Sequence, residues 1–269
     1  MSDRELNPKH HVTRDSHAGR RVLVTGGARG IGRAVAEGFI NRAATVGVLD
    51  LSAAAVNEAV EALDGAGPGR AIPLVADVAD YAALTAALGA AEKLMGGTFD
   101  TVINNAGISP KHEGAARKVW EMDPGEWRQV VDVNLTGHFN TIRALVPSMR
   151  AQGRGWIVNS SSVAGKTHSP IVACHYAATK SAVIGFTKHL AAELGPFGIR
   201  VNAVAPGRIA TPMVAGVAKE VNDAQVALTP MARLGEPAEV ADVALWLTSP
   251  EASFVTGQTI DVAGGLYMT

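Results

Sequence analysis

In CHYAATKSAVIGFTKHLAAEL, Cys174 to Leu194, a tyrosine and a lysine stand four residues apart, Tyr176 and Lys180. On a helix that spacing is about one turn, so phenol and ammonium project from the same face. A free phenol titrates near pH 10, too high for a general base at neutral pH, and a neighbouring cation favours the phenolate. The pair therefore suits proton transfer, although exposed Tyr–Lys pairs on helices are mostly surface decoration. Just upstream, IVNSSSVAG (157–165) offers three hydroxyls, of which Ser162 stands fourteen residues before Tyr176. Serines at a strand end mostly form turns, and Ser160, Ser161 and Ser162 each carry that simpler explanation.

A second group of residues suits phosphate. TGGARGIG, Thr25 to Gly32, follows a short apolar run and opens a helical pattern. Gly26 allows a sharp turn, while Gly30 and Gly32 let a ligand approach the backbone closely. The helix after it turns unpaired N–H groups and partial positive charge toward a pyrophosphate. The spacing differs from GxGxxG, so that fingerprint is not present as such. The next strand ends in GVLD, with Asp50 eighteen residues after Gly32, near where dinucleotide folds keep an acid for the adenosine ribose. A carboxylate there accepts hydrogen bonds from ribose hydroxyls and repels a 2′-phosphate, which points to NAD. Arg29 pulls toward NADP, because a guanidinium pairs with a 2′-phosphate. With neutral Leu51 following Asp50, NAD is the expected cofactor and NADP the alternative.

Both groups need a scaffold that brings them to one edge. RVLVT, ATVGVLD, AIPLVAD, FDTVINN, GWIVNSS, IRVNAVA and GQTIDVA have the length and β-branched content of strands. Most are continuous apolar runs, as in a parallel sheet covered by helices on both faces. Helical patterns such as IGRAVAEGFINRA, AALTAALGAAEKL and EPAEVADVALWL lie between them. The fold class expected is α/β, a single Rossmann-type doubly wound parallel seven-stranded sheet. Residues 1–18 are expected as a flexible polar tail and 19–269 as the catalytic domain. The segment 207–235 is long for a connection and leaves a strand at the ligand edge, which suits a lid.

Bulk properties narrow the function classes. The chain has 269 residues with 25 acidic and 24 basic side chains, so no global field draws it to nucleic acid or membrane. A single cysteine, Cys174, excludes an internal disulfide framework and a multi-cysteine metal site. No apolar run is long enough to span a bilayer and no secretory segment opens the sequence, so a cytoplasmic protein is expected.

In their order, these motifs resemble the short-chain dehydrogenase/reductase family, the group with a TGxxxGxG loop and a YxxxK pair, over roughly residues 19 to 269. TGGARGIG resembles the cofactor loop, with Gly26, Arg29, Gly30, Ile31 and Gly32 as implied contacts. ADV resembles the adenine-binding stretch, with Asp77 and Val78, and NNAG (Asn104, Asn105, Ala106, Gly107) the stretch beneath the adenosine ribose. PGRIATPM resembles the PGxxxT segment, which implies Pro206, Gly207, Ile209 and Thr211 near the nicotinamide. The resemblance implies Asn134, Ser162, Tyr176 and Lys180 as the catalytic set. Tyr176 is expected to exchange a proton with the substrate oxygen, made acidic by Lys180 and a bound oxidised nicotinamide. Lys180 also holds the nicotinamide ribose, and Ser162 fixes the substrate oxygen, with Ser161 as fallback. Asn134 is expected at a helix kink whose freed carbonyl holds a water. The Ser-to-Tyr interval is one residue longer than common in the family, which implies a small insertion within 166–175. The family's C-terminal region implies a homotetramer.

The expected function is an NAD-dependent dehydrogenase interconverting a secondary alcohol and a ketone. The polar 108–123 loop suggests a small polyol, sugar or hydroxy-acid substrate, although a solvated loop is the simpler account of Lys111, His112, Arg117 and Lys118. Trp120 and Trp127 are expected to pack that loop and its following helix. His168, Cys174 and His175 are expected in packing or rim roles, and no metal site is expected. The alternatives are an NADPH-dependent 3-oxoacyl-thioester (acyl carrier protein) reductase, favoured by Arg29, and a non-catalytic dinucleotide-sensing regulator. Such regulators typically lack the Tyr or the Lys, both present here.

Overall fold

A computed structural model describes residues 17–268. The strands are Arg21–Thr25 (β1), Thr45–Asp50 (β2), Arg70–Val75 (β3), Thr101–Asn104 (β4), Gly155–Ser160 (β5), Ile199–Pro206 (β6) and Thr259–Val262 (β7). They form one all-parallel sheet in the order β3-β2-β1-β4-β5-β6-β7. The chain enters at the centre, adds β2 and β3 on one side, then returns to lay β4 on the other side of β1. That reversal opens a crevice beyond the carboxyl ends of β1 and β4, where α/β sheets hold ligands.

Helices Gly30–Ile40 (α1), Ala53–Leu63 (α2), Tyr81–Met95 (α3), Pro124–Val131 (α4), Gly137–Gln152 (α5), Cys174–Leu194 (α6), Pro212–Ala215 (α7), Lys219–Leu228 (α8) and Pro237–Thr248 (α9) connect the strands. Side-chain alternation along β1 shows why its residues form a doubly covered strand. Val22 and Val24 enter one core with Val35 and Phe39 of α1 and Val240 and Leu245 of α9. Leu23, between them, enters a second core with Leu84 of α3, Ile142 of α5 and Leu190 of α6. A strand buried on both faces needs apolar side chains at every position.

Local signals set the helix ends. Asp80 caps α3 by accepting from the backbone N–H groups of Ala82 and Ala83, and Gly96 ends it in the left-handed region at φ 66°. Asp123 caps α4 with Pro124 directly after it, and Glu236 and Glu239 form a reciprocal capping box at α9. Each such cap contributes about 1 kcal/mol by satisfying an orphan donor.

Two expectations change here. Residues 1–16 lie outside the described part, but His17 is buried, 5.0 Å from the Phe39 ring, so the packed domain begins before residue 19. Trp120 is 78% exposed, so it does not pack the 108–123 loop as expected, while Trp127 is 41% exposed. The 207–235 segment is helical in part, α7 and α8, and its Val214 and Val217 are buried. Among the described residues no helix is long and apolar enough to cross a membrane.

Candidate active site

The crevice at the switch point has a volume of about 820 Å³ and draws its walls from the loops after β1 to β6. At its base Thr25, the last residue of β1, is buried, and its Oγ1 accepts from the backbone N–H of Asn105 at 3.0 Å and Ala106 at 3.1 Å. This single oxygen clamps the exit of β4 to the exit of β1. The Asn105 amide strengthens the clamp by donating to the Gly26 carbonyl at 3.1 Å.

Gly26 has φ +60°, and a Cβ there would lie 2.9 Å from Ala106 Cα, so the turn admits only glycine. Gly30 has φ +52° and faces Thr211. α1 starts at this point without a side-chain cap, so its first N–H groups open toward the crevice. Gly26, Arg29, Gly30 and Ile31 all line the wall. Gly32 does not, contrary to its expected cofactor contact. A Cβ there would lie 2.1 Å from the Gly26 carbonyl oxygen, so this glycine lets α1 pack on its own loop.

Asp50 lines the crevice at the end of β2, its carboxylate accepting from the N–H groups of Ala28 (3.3 Å) and Leu51 (2.8 Å). Arg29 is exposed at the lip. Asp77 and Val78 line the wall beyond β3. Asn140 of α5 fixes them by donating to the Val78 carbonyl at 2.9 Å, a contact no motif signalled. Asn105, Ala106 and Gly107 are also on the wall. Asn104 is not: it is fully buried and its amide donates to Asn159 Oδ1 at 2.9 Å, joining β4 to β5. Its expected cofactor contact is therefore replaced by a sheet contact. Pro206, Gly207, Ile209 and Thr211, at the exit of β6, line the opposite side.

Ser162, Tyr176 and Lys180 meet on one wall. Ser162 follows β5 and starts a single 3₁₀ turn, Val163–Gly165. Its hydroxyl hydrogen-bonds the Tyr176 phenol, whereas the Ser161 hydroxyl is spent on the Lys180 carbonyl at 2.8 Å. That geometry selects Ser162 over Ser161. Lys180 is buried, and its ammonium donates to the Ser160 carbonyl at 2.7 Å, 5.6 Å from the Tyr176 ring centroid. Burial lowers its pKa to about 8.

Burial also raises the Tyr176 phenol, opposed by the Ser162 hydrogen bond and the charge of Arg208. The Lys180 ammonium is directed to a carbonyl on one side of the ring, and Arg208 adds a second positive charge that acts on the phenol. This arginine lay in PGRIATPM as an apparent spacer between motif positions.

Asn134 sits in a π-helical turn, Asp132–Thr136, that separates α4 from α5. Its side chain is buried and braces Ile108, accepting from the N–H at 2.7 Å and donating to the carbonyl at 2.9 Å. It supports the wall from behind. His175, fully buried beside Tyr176, pairs with Glu126 at 3.0 Å, and the same carboxylate takes His112 at 2.6 Å and Arg117 at 3.4 Å. Of the basic loop residues only Lys111 lines the crevice. Cys174 and His168 are exposed.

The chain is similar to known proteins in sequence and in overall fold. A family model described as enoyl-(acyl carrier protein) reductase matches residues 26–267. The chain belongs to the short-chain dehydrogenase/reductase family. This dehydrogenase/reductase is 40% identical over 250 residues to the 3-oxoacyl-[acyl-carrier-protein] reductase FabG of Thermotoga maritima, covering 92% of this chain and 98% of that one. It is also 40% identical to galactitol 2-dehydrogenase of Cereibacter sphaeroides, covering 92% and 94%. Two Brucella melitensis crystal structures described as 3-oxoacyl-[acyl-carrier protein] reductases share 68% and 66% identity, with TM-scores of 0.92 and 0.90. Each match covers 98% of this chain and 99% of the other, and the second structure has NAD bound.

Proposed function

We propose that this short-chain dehydrogenase/reductase uses NAD(H) to interconvert a 3-hydroxyacyl group and its 3-oxoacyl counterpart. One observation carries the chemistry: Ser162, Tyr176 and Lys180 converge on the wall of the crevice whose other end carries Asp50 and the glycine turn. The acyl class is supported by the relatives named 3-oxoacyl reductases, two of them above 65% identity. It was the alternative expectation from sequence, and it has more support than a polyol or sugar. The latter remains a second reading, supported by the galactitol 2-dehydrogenase relative and the polar crevice residue Lys111.

The residues present fit a nicotinamide dinucleotide. Gly26 and Gly30 leave room that a Cβ would fill, and the uncapped α1 amides suit a pyrophosphate. Asp50 suits the ribose diol and repels a 2′-phosphate. With the NAD-bound neighbour this supports NAD, against Arg29 at the lip. When bound, the cofactor supplies or accepts hydride at the substrate carbon. Tyr176 gives its proton to the ketone oxygen during reduction and takes it back during oxidation. Ser162 donates a hydrogen bond to the same oxygen. Lys180 holds a buried positive charge beside the phenol, favouring its ionised form as the proton leaves.

Self-association as a homotetramer is part of the proposal. It is supported by the edge strand β7, whose four residues are only half-buried, and by the exposed Phe254 and Met268. The test is NADH and NADPH oxidation with a 3-oxoacyl thioester, a 3-oxo acid and a ketose. NADH-linked turnover of the 3-oxo compounds is expected. Tight nucleotide binding with no turnover indicates the sensor reading instead, and activity confined to NADPH overturns the cofactor assignment.

A further inference from the structure

Beyond Lys180, the crevice holds two partly buried cations to which the mechanism above gives no task. Lys111, in the loop after β4, and Arg208, directly after β6, both line it and both are partly buried. Burial lowers the pKa of each, and the positive charge of Arg208 adds to the lowering at Lys111. Both share the crevice with Tyr176, and the charge of Arg208 favours the ionised phenol.

Their hydrogen bonds go to neutral acceptors. Lys111 Nζ donates to the Ile171 carbonyl, and Arg208 donates through Nε (2.9 Å) and Nη2 to Asn222 Oδ1. Asn222 is itself fixed on α8 by donating to the Val214 and Val217 carbonyls at 3.2 Å each. Among the described residues neither cation has an acidic partner within ion-pair distance. The carboxylates of Asp50 and Asp77 are on the β2 and β3 side of the sheet, each engaged with backbone N–H groups. Asp132, the remaining acidic wall residue, is exposed. Two like charges in one crevice, half out of water and without a counter-ion among the described residues, suit an anionic ligand.

We propose that Arg208 and Lys111 form a carboxylate-reading pair, so that the substrate is a free 3-oxo or 3-hydroxy acid rather than its neutral thioester. Tyr176, Arg208 and Lys111 line the same crevice, so a substrate whose ketone oxygen meets the phenol can turn a nearby carboxylate toward the cations. A 3-oxo acid carries its carboxylate two carbons from the ketone. The planar guanidinium pre-set by Asn222 offers its remaining N–H groups to a carboxylate, and Lys111 adds a point charge. This deepens the 3-oxoacyl reading and rests on it.

The test compares acetoacetate with methyl acetoacetate in NADH-linked reduction by the full chain, Arg208→Met, Lys111→Met and Arg208→Lys. The wild-type protein is expected to favour the acid by more than tenfold in kcat/KM. The ratio falls toward one in both Met variants, chiefly through KM, and is partly restored in Arg208→Lys. An equal or greater preference for the ester, or a preference that survives both substitutions, overturns the proposal. If neither compound is reduced, the 3-oxoacyl reading fails by itself. Acetoacetate binding to the NADH-loaded protein, followed by NADH fluorescence, then decides the anion site. Binding weakened at least tenfold in both Met variants sustains it, and binding that is absent or unchanged refutes it.

Discussion

Replacing Thr25 with valine removes one oxygen and almost no volume. That oxygen accepts from two backbone N–H groups, Asn105 at 3.0 Å and Ala106 at 3.1 Å, and is buried at the junction of β1 and β4. A backbone N–H left unsatisfied costs about 1–3 kcal/mol when buried. Both residues here are only half-buried, so water recovers part of that cost, and the low end applies to each. Thr25→Val should therefore destabilise the protein by about 2 kcal/mol, seen in urea unfolding as a lower midpoint at unchanged slope. The freed strand exits also line the crevice, so NADH affinity, followed by fluorescence, should weaken in parallel. Thr25→Ser keeps the oxygen and should recover most of both losses. Stability within about 0.5 kcal/mol of wild type in Thr25→Val would refute the clamp, since that is the size of an ordinary neutral surface change.

Asp50→Ala should weaken NADH binding about tenfold, the equivalent of one charge-assisted hydrogen bond, and narrow the gap to NADPH. Titration of both cofactors checks this, and an unchanged ratio would contradict the ribose role. Burial holds the His138 imidazole down to about 3, against 6.5 when free, so the fold contains it neutral. Stability from that group is complete above about pH 6.5 and is lost as pH falls toward 3, by up to about 5 kcal/mol. His138→Gln should flatten the decline of urea midpoint between pH 7 and 4; an unaltered slope would place the acid sensitivity elsewhere.

The parts of the fold visible in sequence were those set by local rules. Each β1 side chain faces one core or the other, so the run RVLVT announced a doubly covered strand. The glycines whose added Cβ would strike Ala106 or Gly26 were conspicuous for the same steric reason. Sequence pattern did not separate glycines facing ligand from those facing their own loop, and Gly32 was misplaced on that account. Asn104 was misplaced because its role depends on Asn159, 55 residues away across the sheet. Arg208 and Lys111 come from loops after different strands, and their place in one crevice follows from topology, which no spacing in the chain expresses. Glu126 likewise joins residues from the 108–123 loop and α6.

The central claim is that the Tyr176 hydroxyl, hydrogen-bonded by Ser162 and set beside the charges of Lys180 and Arg208, carries the proton of the reaction. Tyr176→Phe removes only that hydroxyl. General acid–base catalysis is worth about 10²–10⁴-fold, so kcat should fall by at least that range while the NADH dissociation constant stays within a few-fold. A Phe variant that retains near-normal kcat would contradict the account.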